Sequence, residues 1–246
     1  MSRTNGLAPS HPAPSHAAGI RTRAVFFDVD FTLIYPGPTF QGEGYERFCA
    51  RYGLDVDRAK FPDAVRAASA ILDAQQEHVY DPEIFERYTA RIIEEMGGTG
   101  PQVRACAREV YAEWAVCQHF FLYDDVAPAL KALAARGLKI GLISNSHRCL
   151  SSFQRHFELE GLIAAAVSSS DHGYLKPHPS IFEAALKLAG VEAGESVMVG
   201  DSLTHDIEGA RRAGMRGVLV HRADGPPAGA GDVPVIRDFS ELHALL

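Results

Sequence analysis

The stretch from Val25 to Leu33 constrains the fold of this chain more than any other part of its sequence. An apolar run, Val25–Phe27, leads into two acids at alternate positions, Asp28 and Asp30, and then into Thr32. Such a run is typical of a buried parallel strand, whose side chains alternate between two faces, so both acids are predicted to point the same way. Ligands of open α/β sheets bind at the carboxyl ends of the strands. Two acids there repel each other unless a cation lies between them, which predicts a hard-metal site, with solvated loop acids as the alternative.

The composition is that of an ordinary globular protein, with 46% hydrophobic and 22% charged residues. Its net charge of -7 argues against a general nucleic-acid binder, because phosphate contacts need a basic face. We predict no signal peptide and no membrane-spanning segment. The cysteines show neither a Cys-x-x-Cys pair nor a zinc spacing, which favours a reducing, cytoplasmic location. They are Cys49, Cys106, Cys117 and Cys149.

The order of patterns along the chain predicts three regions. Residues 1–22 are rich in proline, alanine and serine, and they are predicted to form a disordered tail. The 90 positions from Leu33 to Tyr123 carry helical periodicities, whereas a crossover helix needs only about a dozen residues. We therefore predict a helical cap over residues 37–123, inserted into a core made of residues 23–36 and 124–246. The aromatic stripe that contains Trp114 is interpreted as packing within the cap.

After residue 124, strand and helix patterns alternate. Alternation at this spacing predicts an α/β fold, with a Rossmann-like, doubly wound parallel sheet. The predicted strands are 138–143, 165–168, 196–200 and 217–220, with a short one near the end. The predicted helices are 126–136, a segment that ends near 157, 180–189, 207–213 and a short final one.

Polar residues follow the predicted strand 138–143. The hydroxyl of Ser144 and the amide of Asn145 suit a phosphate oxygen, although an N-cap role in a strand-to-helix turn is the alternative. Further along, Lys176 is held extended by Pro177, so that it can neutralise both a phosphate and a crowded carboxylate. The alternative for Lys176 is an exposed loop lysine.

Two further acids follow the predicted strand 196–200. Asp201 comes directly after the strand and is predicted to complete the metal shell. Asp206 is predicted to orient a neighbour such as Lys176, or else to act as a helix N-terminal acid that satisfies the helix dipole.

Together these motifs resemble the haloacid dehalogenase superfamily, and in particular its phosphatases with a helical C1-type cap. The resemblance covers the chain from about Arg23 to the end. The motifs of that superfamily occur in this chain in the family's order, as Asp28-x-Asp30-x-Thr32, Ser144, Lys176 and Gly200-Asp201 with Asp206.

The resemblance implies a mechanism and a cofactor. Asp28 would attack phosphorus and form an aspartyl-phosphate, while Asp30 would protonate the leaving oxygen and then activate water. Mg²⁺ would be held by the Asp28 side chain, the Asp30 backbone carbonyl and Asp201. The other motif residues would steady this region or bind the phosphoryl group: Thr32, Ser144, Asn145, Lys176 and Asp206. The implied partner is a small phosphorylated metabolite, with no nucleic acid, no membrane and no defined oligomeric state.

Four features bear on this interpretation and its alternatives. Phe31 stands where many members carry glycine, so the wall beside the nucleophile differs and the substrate is not encoded. The second acid, Asp30, favours phosphoryl transfer over 2-haloacid dehalogenation, which needs no acid to protonate halide. Thr32 weighs against a sugar phosphomutase. The complete set of motif acids and Lys176 weighs against a catalytically idle binding module.

Overall fold

A computed structural model describes residues 21–74 and 77–246. The predicted tail lies outside the described residues, apart from Arg21 and Thr22. Thr22 is buried and accepts a hydrogen bond from the Arg216 guanidinium, which joins the start of the described chain to the core. Within the described residues, all four cysteines are free thiols. We find no helix in this part of the chain with the length and apolarity that a membrane crossing requires.

Strands and helices alternate through most of the chain. The strands are β1 Ala24–Phe27, β2 Ile34–Pro36, β3 Phe120–Leu122, β4 Lys139–Ser144, β5 Ile163–Ser168, β6 Ser196–Gly200, β7 Arg216–Val220 and β8 Val235–Ile236. The α-helices are α1 Gly42–Arg51, α2 Phe61–Ala68, α3 Ala70–Asp73, α4 Pro82–Glu95, α5 Val103–Glu113, α6 Val126–Ala135, α7 Leu150–His156, α8 Ser169–His172, α9 Pro179–Ala189 and α10 Gly209–Arg212.

Six strands form one parallel sheet in the order β5-β4-β1-β6-β7-β8, which confirms the predicted α/β, Rossmann-like fold. The chain first builds outward from β1 to β4 and β5, and then returns to add β6, β7 and β8 on the other side. Every residue of β1 is buried, because strands flank it on both sides and side chains cover both faces. Ligands bind at the carboxyl ends of strands where the order reverses in this way.

The five helices α1 to α5 lie between β2 and β3, and we call residues 38–119 the helical segment. Its helices bury the apolar stripes expected from the sequence, such as Tyr45, Phe48 and Cys49 on α1. The Asp81 side chain caps α4 by accepting a hydrogen bond from the Glu83 N–H, with Pro82 at the first helical position. These local signals fix where the helices begin and which face they bury.

Two sets of backbone hydrogen bonds join the helical segment to the rest of the protein. In the first, Ile34–Pro36 forms β2, which pairs antiparallel with β3. A second contact joins Val79 to Tyr174 by an antiparallel bridge, and the Leu175 N–H donates to the His78 carbonyl at 2.7 Å. The helical segment is therefore bound to the loop that directly precedes Lys176.

The structure differs from the predicted elements at two places. β1 stops at Phe27, and Asp28 and Asp30 lie just beyond it, before a turn over residues 31–33, with Asp30 in an isolated bridge to Ile34. The backbone of Phe31 has a φ of 66°, a left-handed value that is incompatible with a strand and that starts this turn. The helix predicted over 207–213 begins earlier, as a π-helical turn over Leu203–Glu208 that the Ser202 side chain caps.

Candidate active site

Lys176 is the centre of a charged site at the carboxyl ends of the strands. Its Nζ donates hydrogen bonds to Asp28 Oδ1 at 2.6 Å and to Asp206 Oδ1 at 2.7 Å. All three residues are buried. Burial alone lowers the pKa of Lys176, but the charges of Asp206 and Asp28 outweigh this effect and raise the pKa above its ordinary value. The lysine therefore stays protonated and offsets part of the negative charge around it.

Asn145 fixes the backbone from which the Lys176 side chain projects. Asn145 Nδ2 donates to the Lys176 carbonyl at 2.9 Å, and Asn145 Oδ1 accepts from the Lys176 N–H at 2.7 Å. These two bonds join the end of β4 to the loop before α9. The amide of Asn145 is thus committed to positioning the lysine, and the phosphate contact that the sequence predicts for it stays a prediction.

Asp206 is held in place by the start of its own helical turn. Its second carboxylate oxygen, Oδ2, accepts a hydrogen bond from the Ser202 N–H at 3.0 Å. Gly200 makes this approach possible, because a Cβ at that position would lie 2.2 Å from Asp206 Oδ2. Glycine is therefore required before Asp201 for a steric reason, because it lets the Asp206 carboxylate pack against the end of β6.

Three carboxylates form a cluster at this site. Ligand oxygens of Asp28, Asp201 and Asp206 all lie within 4.8 Å of one another. Thr32 joins the cluster by donating from Oγ1 to Asp201 Oδ1 at 3.2 Å. Asp201 is exposed to solvent on one side, but the loss of part of its hydration, together with the charges of Asp28 and Asp206, raises the pKa of Asp201 to about 8. One lysine against three acids leaves excess negative charge, which suits a hard divalent cation that prefers oxygen ligands.

Asp30 has a different partner. Arg148 Nη1 donates to both carboxylate oxygens of Asp30, at 2.9 and 3.1 Å. Burial raises the pKa of Asp30 above its ordinary value, while the Arg148 guanidinium opposes that shift. A carboxyl with a raised pKa is suited to giving and taking a proton near neutral pH. The two acids of the first motif therefore face different cations, Asp28 facing Lys176 and Asp30 facing Arg148.

Arg148 is a residue that the sequence did not reveal. It is 1% exposed, its Nη2 donates to the Trp114 carbonyl at 2.8 Å, and its guanidinium lies 4.3 Å from the centre of the Phe120 ring. It follows Ser144 by four positions in a loop without periodicity. The one available signal is that a buried Asp30 needs a cation, and nothing in the spacing selects Arg148 from the other arginines. Trp114, interpreted as packing within the cap, does pack on Phe120 and also anchors this arginine.

Ser144 lies at the end of β4 and is fully buried. Its hydroxyl lies 2.9 Å from the Ser146 hydroxyl, with which it shares a hydrogen bond. A phosphate contact from Ser144 stays a prediction.

A cavity of about 390 Å³ opens beside the site and extends into the helical segment. Asp30, Asn145 and Ser146 line it on the side of the sheet, and aromatic and aliphatic side chains line the remainder. Small-molecule sites are concave, mostly apolar spaces of this size with a few polar groups at one side.

The sequence of this chain also matches known proteins. A family model for haloacid dehalogenase-like hydrolases matches residues 22–214. The chain is 31% identical over 244 residues to the N-acylneuraminate-9-phosphatase of Rattus norvegicus, a match that covers 92% of this chain and 94% of that protein. It is also 31% identical over 222 residues to the glyceraldehyde 3-phosphate phosphatase of Methanopyrus kandleri, which covers 86% of this chain and 91% of that protein.

The fold has matches among solved structures as well. A HAD-hydrolase from Bacillus subtilis superposes with a TM-score of 0.72 at 17% identity, covering 92% of this chain and 99% of the other. At that identity the match concerns the fold alone.

Proposed function

Since this chain belongs to the haloacid dehalogenase-like hydrolases and is a phosphatase of that family, we propose that it hydrolyses a small phosphomonoester in two steps, through an aspartyl-phosphate on Asp28 and with Mg²⁺ as cofactor. The observation that carries the proposal is the contact of Lys176 with Asp28 inside the carboxylate cluster. A nucleophilic carboxylate beside an incoming phosphate needs positive charge on both sides, and Lys176 supplies it on one.

The residues of the cluster fit a magnesium ion. Asp28 and Asp201 would hold it by their carboxylates and Asp30 by its backbone carbonyl, with Thr32 fixing Asp201. Oxygen ligands and excess negative charge are what this hard cation requires. When bound, Mg²⁺ supplies positive charge that neutralises the phosphate and lets it approach the nucleophile.

In the first step, an oxygen of Asp28 forms a bond to phosphorus while the bond from phosphorus to the leaving oxygen breaks. Asp30 transfers its proton to that oxygen, which departs as an alcohol. In the second step, Asp30 takes a proton from water, whose oxygen attacks phosphorus and breaks the bond to Asp28. The second step restores both carboxyl groups, and Lys176 stays charged throughout because two acids flank it.

We further propose that residues 37–123 act as a cap on a core of residues 23–36 and 124–246. Two contacts between the helical segment and residues near the site support this proposal. Arg148 joins Asp30 to the Trp114 carbonyl, and the bridge between Val79 and Tyr174 lies two residues before Lys176. Ser144 would complete the phosphate site at the end of β4, where hydroxyl groups suit phosphate oxygens.

The test is hydrolysis of p-nitrophenyl phosphate by the full chain. Turnover should require Mg²⁺, vanish with EDTA and return when the metal is restored, and Asp28→Asn should serve as the blank. Acid-quenched enzyme should carry phosphate on Asp28 when examined by mass spectrometry. Full turnover in metal-free enzyme, or turnover by Asp28→Asn equal to that of the wild type, would show that the proposal is wrong.

A further inference from the structure

The cavity beside Asp30 has a chemical character that bears on the substrate. Its wall is predominantly aromatic and aliphatic, with rings from Phe31, Phe40, Tyr45, Tyr88, Tyr111 and Trp114. Aliphatic side chains of Val65, Leu72 and Ile92 line it within the helical segment. The space is therefore suited to hydrocarbon, because apolar surface gains free energy when it leaves water.

Charge is nearly absent from this wall. Among the described residues that line the cavity, Asp30 is the one with an ordinarily charged side chain, and neither lysine nor arginine contributes. Arg148 adjoins Asp30 but is not among the lining residues; its Nη1 and Nη2 are bound to Asp30 and to the Trp114 carbonyl, and its Nε is buried without a hydrogen-bond partner in the described part of the chain. A second anionic group on a substrate would meet no cation here, and an unpaired charge is costly to remove from water.

Apart from Asp30, the polar groups of the wall are uncharged, and some are already paired. The Tyr111 hydroxyl hydrogen-bonds the Tyr80 hydroxyl at 2.8 Å, and the Thr89 hydroxyl donates to the Phe85 carbonyl at 2.9 Å. Burial lowers the pKa of His147, which keeps that ring neutral. Both ring nitrogens of His147 are buried without a hydrogen-bond partner among the described residues, so they offer a partner to one polar group of a substrate. A polyol with several hydroxyls would still lose more hydrogen bonds to water than this wall replaces.

The position of Asp30 decides which part of a substrate enters the cavity. In the proposed function, on which this inference rests, Asp30 gives its proton to the leaving oxygen, so that oxygen must lie beside Asp30. The carbon skeleton attached to that oxygen then extends from Asp30 into the space that opens there.

We propose that the substrate is a phosphomonoester of an uncharged, largely hydrocarbon alcohol, and that its hydrocarbon group occupies this cavity. The phosphate lies with Lys176 at the strand ends, and the alcohol lies among the aromatic rings. Phosphorylated polyols and substrates with a second acidic group are poor substrates.

A matched pair of substrates tests this inference. Cyclohexylmethyl phosphate and glucose 6-phosphate both carry a primary phosphate ester on a six-membered ring, but one ring is hydrocarbon and the other bears hydroxyls. We expect kcat/KM to favour cyclohexylmethyl phosphate by at least about 100-fold, because each unpaired hydroxyl costs roughly tenfold. Equal values, or a preference for glucose 6-phosphate, would overturn the inference.

A series of straight-chain alkyl phosphates from ethyl to octyl provides a second readout. We expect kcat/KM to rise by about fourfold for each methylene until the cavity is filled. Val65→Thr places a hydroxyl in the wall and should lower kcat/KM for octyl phosphate about tenfold. The control is Ala67→Thr, at an exposed position of the same helix, which should leave the series unchanged. A flat series in the wild type, or the same loss for ethyl and octyl phosphate in Val65→Thr, would contradict the inference.

Acetyl phosphate separates this inference from the proposed function, because its leaving group is too small to use the cavity. Turnover of acetyl phosphate that depends on Mg²⁺ and on Asp28, without any preference for hydrocarbon esters, would refute the substrate class alone. Absence of turnover with acetyl phosphate and p-nitrophenyl phosphate would refute the proposed function and the inference together.

Discussion

The strand-end site and the cavity of the helical segment meet at Asp30, but they are built in opposite ways. In the strand-end site, Lys176 lies within 2.7 Å of two carboxylates, and Asn145 fixes the backbone of that lysine through two further bonds. In the cavity, the described rings and aliphatic chains make apolar contacts, and Asp30 at its edge is the one described lining residue with an ion pair. Directional bonds fix atoms to a fraction of an ångström, whereas apolar packing fixes mainly shape and volume. Small changes in the first region should therefore alter the chemistry, and small changes in the second should alter the choice of substrate.

The largest effect should come from Asp28→Asn, which exchanges one oxygen for a nitrogen in the strand-end site. The variant keeps the shape of the side chain but removes the nucleophilic oxygen anion. We expect kcat with any phosphomonoester to fall by at least about 10⁴-fold. The control is the melting temperature, which shows whether the fold survives.

Asp30→Asn should behave differently, because Asp30 only moves protons. With alkyl phosphates we expect a loss of about 10²–10⁴-fold, and with p-nitrophenyl phosphate a much smaller loss, because its leaving group needs no proton. With p-nitrophenyl phosphate the first step still proceeds, but the second step lacks the base that activates water. Phosphate should therefore accumulate on Asp28 and be detected by mass spectrometry after acid quench. Equal losses on both substrates, without an adduct, would contradict this division of roles.

Lys176→Met should have the next largest effect, this time on stability. The substitution leaves Asp28 and Asp206 buried without a cation, which typically costs about 3–5 kcal/mol in the free energy of unfolding. Urea unfolding measures this loss. Lys131→Met, at an exposed position on α6, is the matched control and should change stability by less than about 0.5 kcal/mol. If both variants unfold at the same urea concentration, the buried contacts of Lys176 contribute nothing to stability.

The contrast between the two regions also explains what could be predicted from the sequence. The acids of the strand-end site follow predictable strands at short spacings, and Lys176 is marked by the proline that follows it. The parallel sheet brings such strand ends together, so Asp28, Lys176, Asp201 and Asp206 were found as candidates. The turn at Phe31 was missed, because propensity alone does not place an aromatic residue at positive φ.

Arg148 and the cavity wall were beyond sequence reasoning for a different reason. The side chains that line the cavity come from several helices and from the loop after β4, and each has the spacing of an ordinary buried stripe. Which stripe faces a void and which faces another helix depends on how the helices cross. Arg148 lies in an irregular loop and finds Asp30 through a contact 118 positions apart in the sequence.

Arg148→Gln tests the residue that lies between the two regions. The substitution removes a charge-assisted contact in which one nitrogen donates to both oxygens of Asp30, and such bonds are worth about 1.5–3 kcal/mol, or roughly 10–100-fold in kcat for alkyl phosphates. The guanidinium opposes the burial-driven rise in the pKa of Asp30, so its removal should raise that pKa further. The limb of the pH–rate profile that reports Asp30 should therefore move to higher pH.

Two controls accompany the Arg148 variant. Arg148→Lys keeps the positive charge but loses the planar guanidinium that contacts both Asp30 and the Trp114 carbonyl. It should therefore return the pH–rate profile to that of the wild type more completely than it returns kcat. Arg155→Gln, at an exposed position on α7, should match the wild type in both readouts. A rate loss in Arg148→Gln with no movement of the pH profile would indicate a structural role for Arg148 and no influence on the pKa of Asp30.

The smallest effect should come from the excess negative charge of the strand-end site. Asp201 has a pKa of about 8 in the folded, metal-free protein and about 3.9 in the unfolded chain. The folded state therefore binds the proton more tightly, so protonation stabilises it at low pH and this stabilisation is lost as the pH rises from about 4 to about 8. Because Asp201 is exposed to solvent, screening limits the effect to about 1 kcal/mol, or roughly 2–4 °C in Tm.

Magnesium should reverse this loss, because a divalent cation favours the ionised carboxylate that high pH produces. We therefore expect the increase in Tm on adding Mg²⁺ to be larger at pH 8 than at pH 5.5, when each pH is compared with its own metal-free sample. Comparing within each pH removes the contributions of titrating groups that do not interact with the metal. Asp201→Asn cannot ionise at this position, so it should show a smaller increase with a weaker dependence on pH, the remainder coming from Asp206, whose pKa is raised to about 6. An increase that is the same at both pH values in the wild type would mean that Asp201 does not carry the metal-sensitive charge.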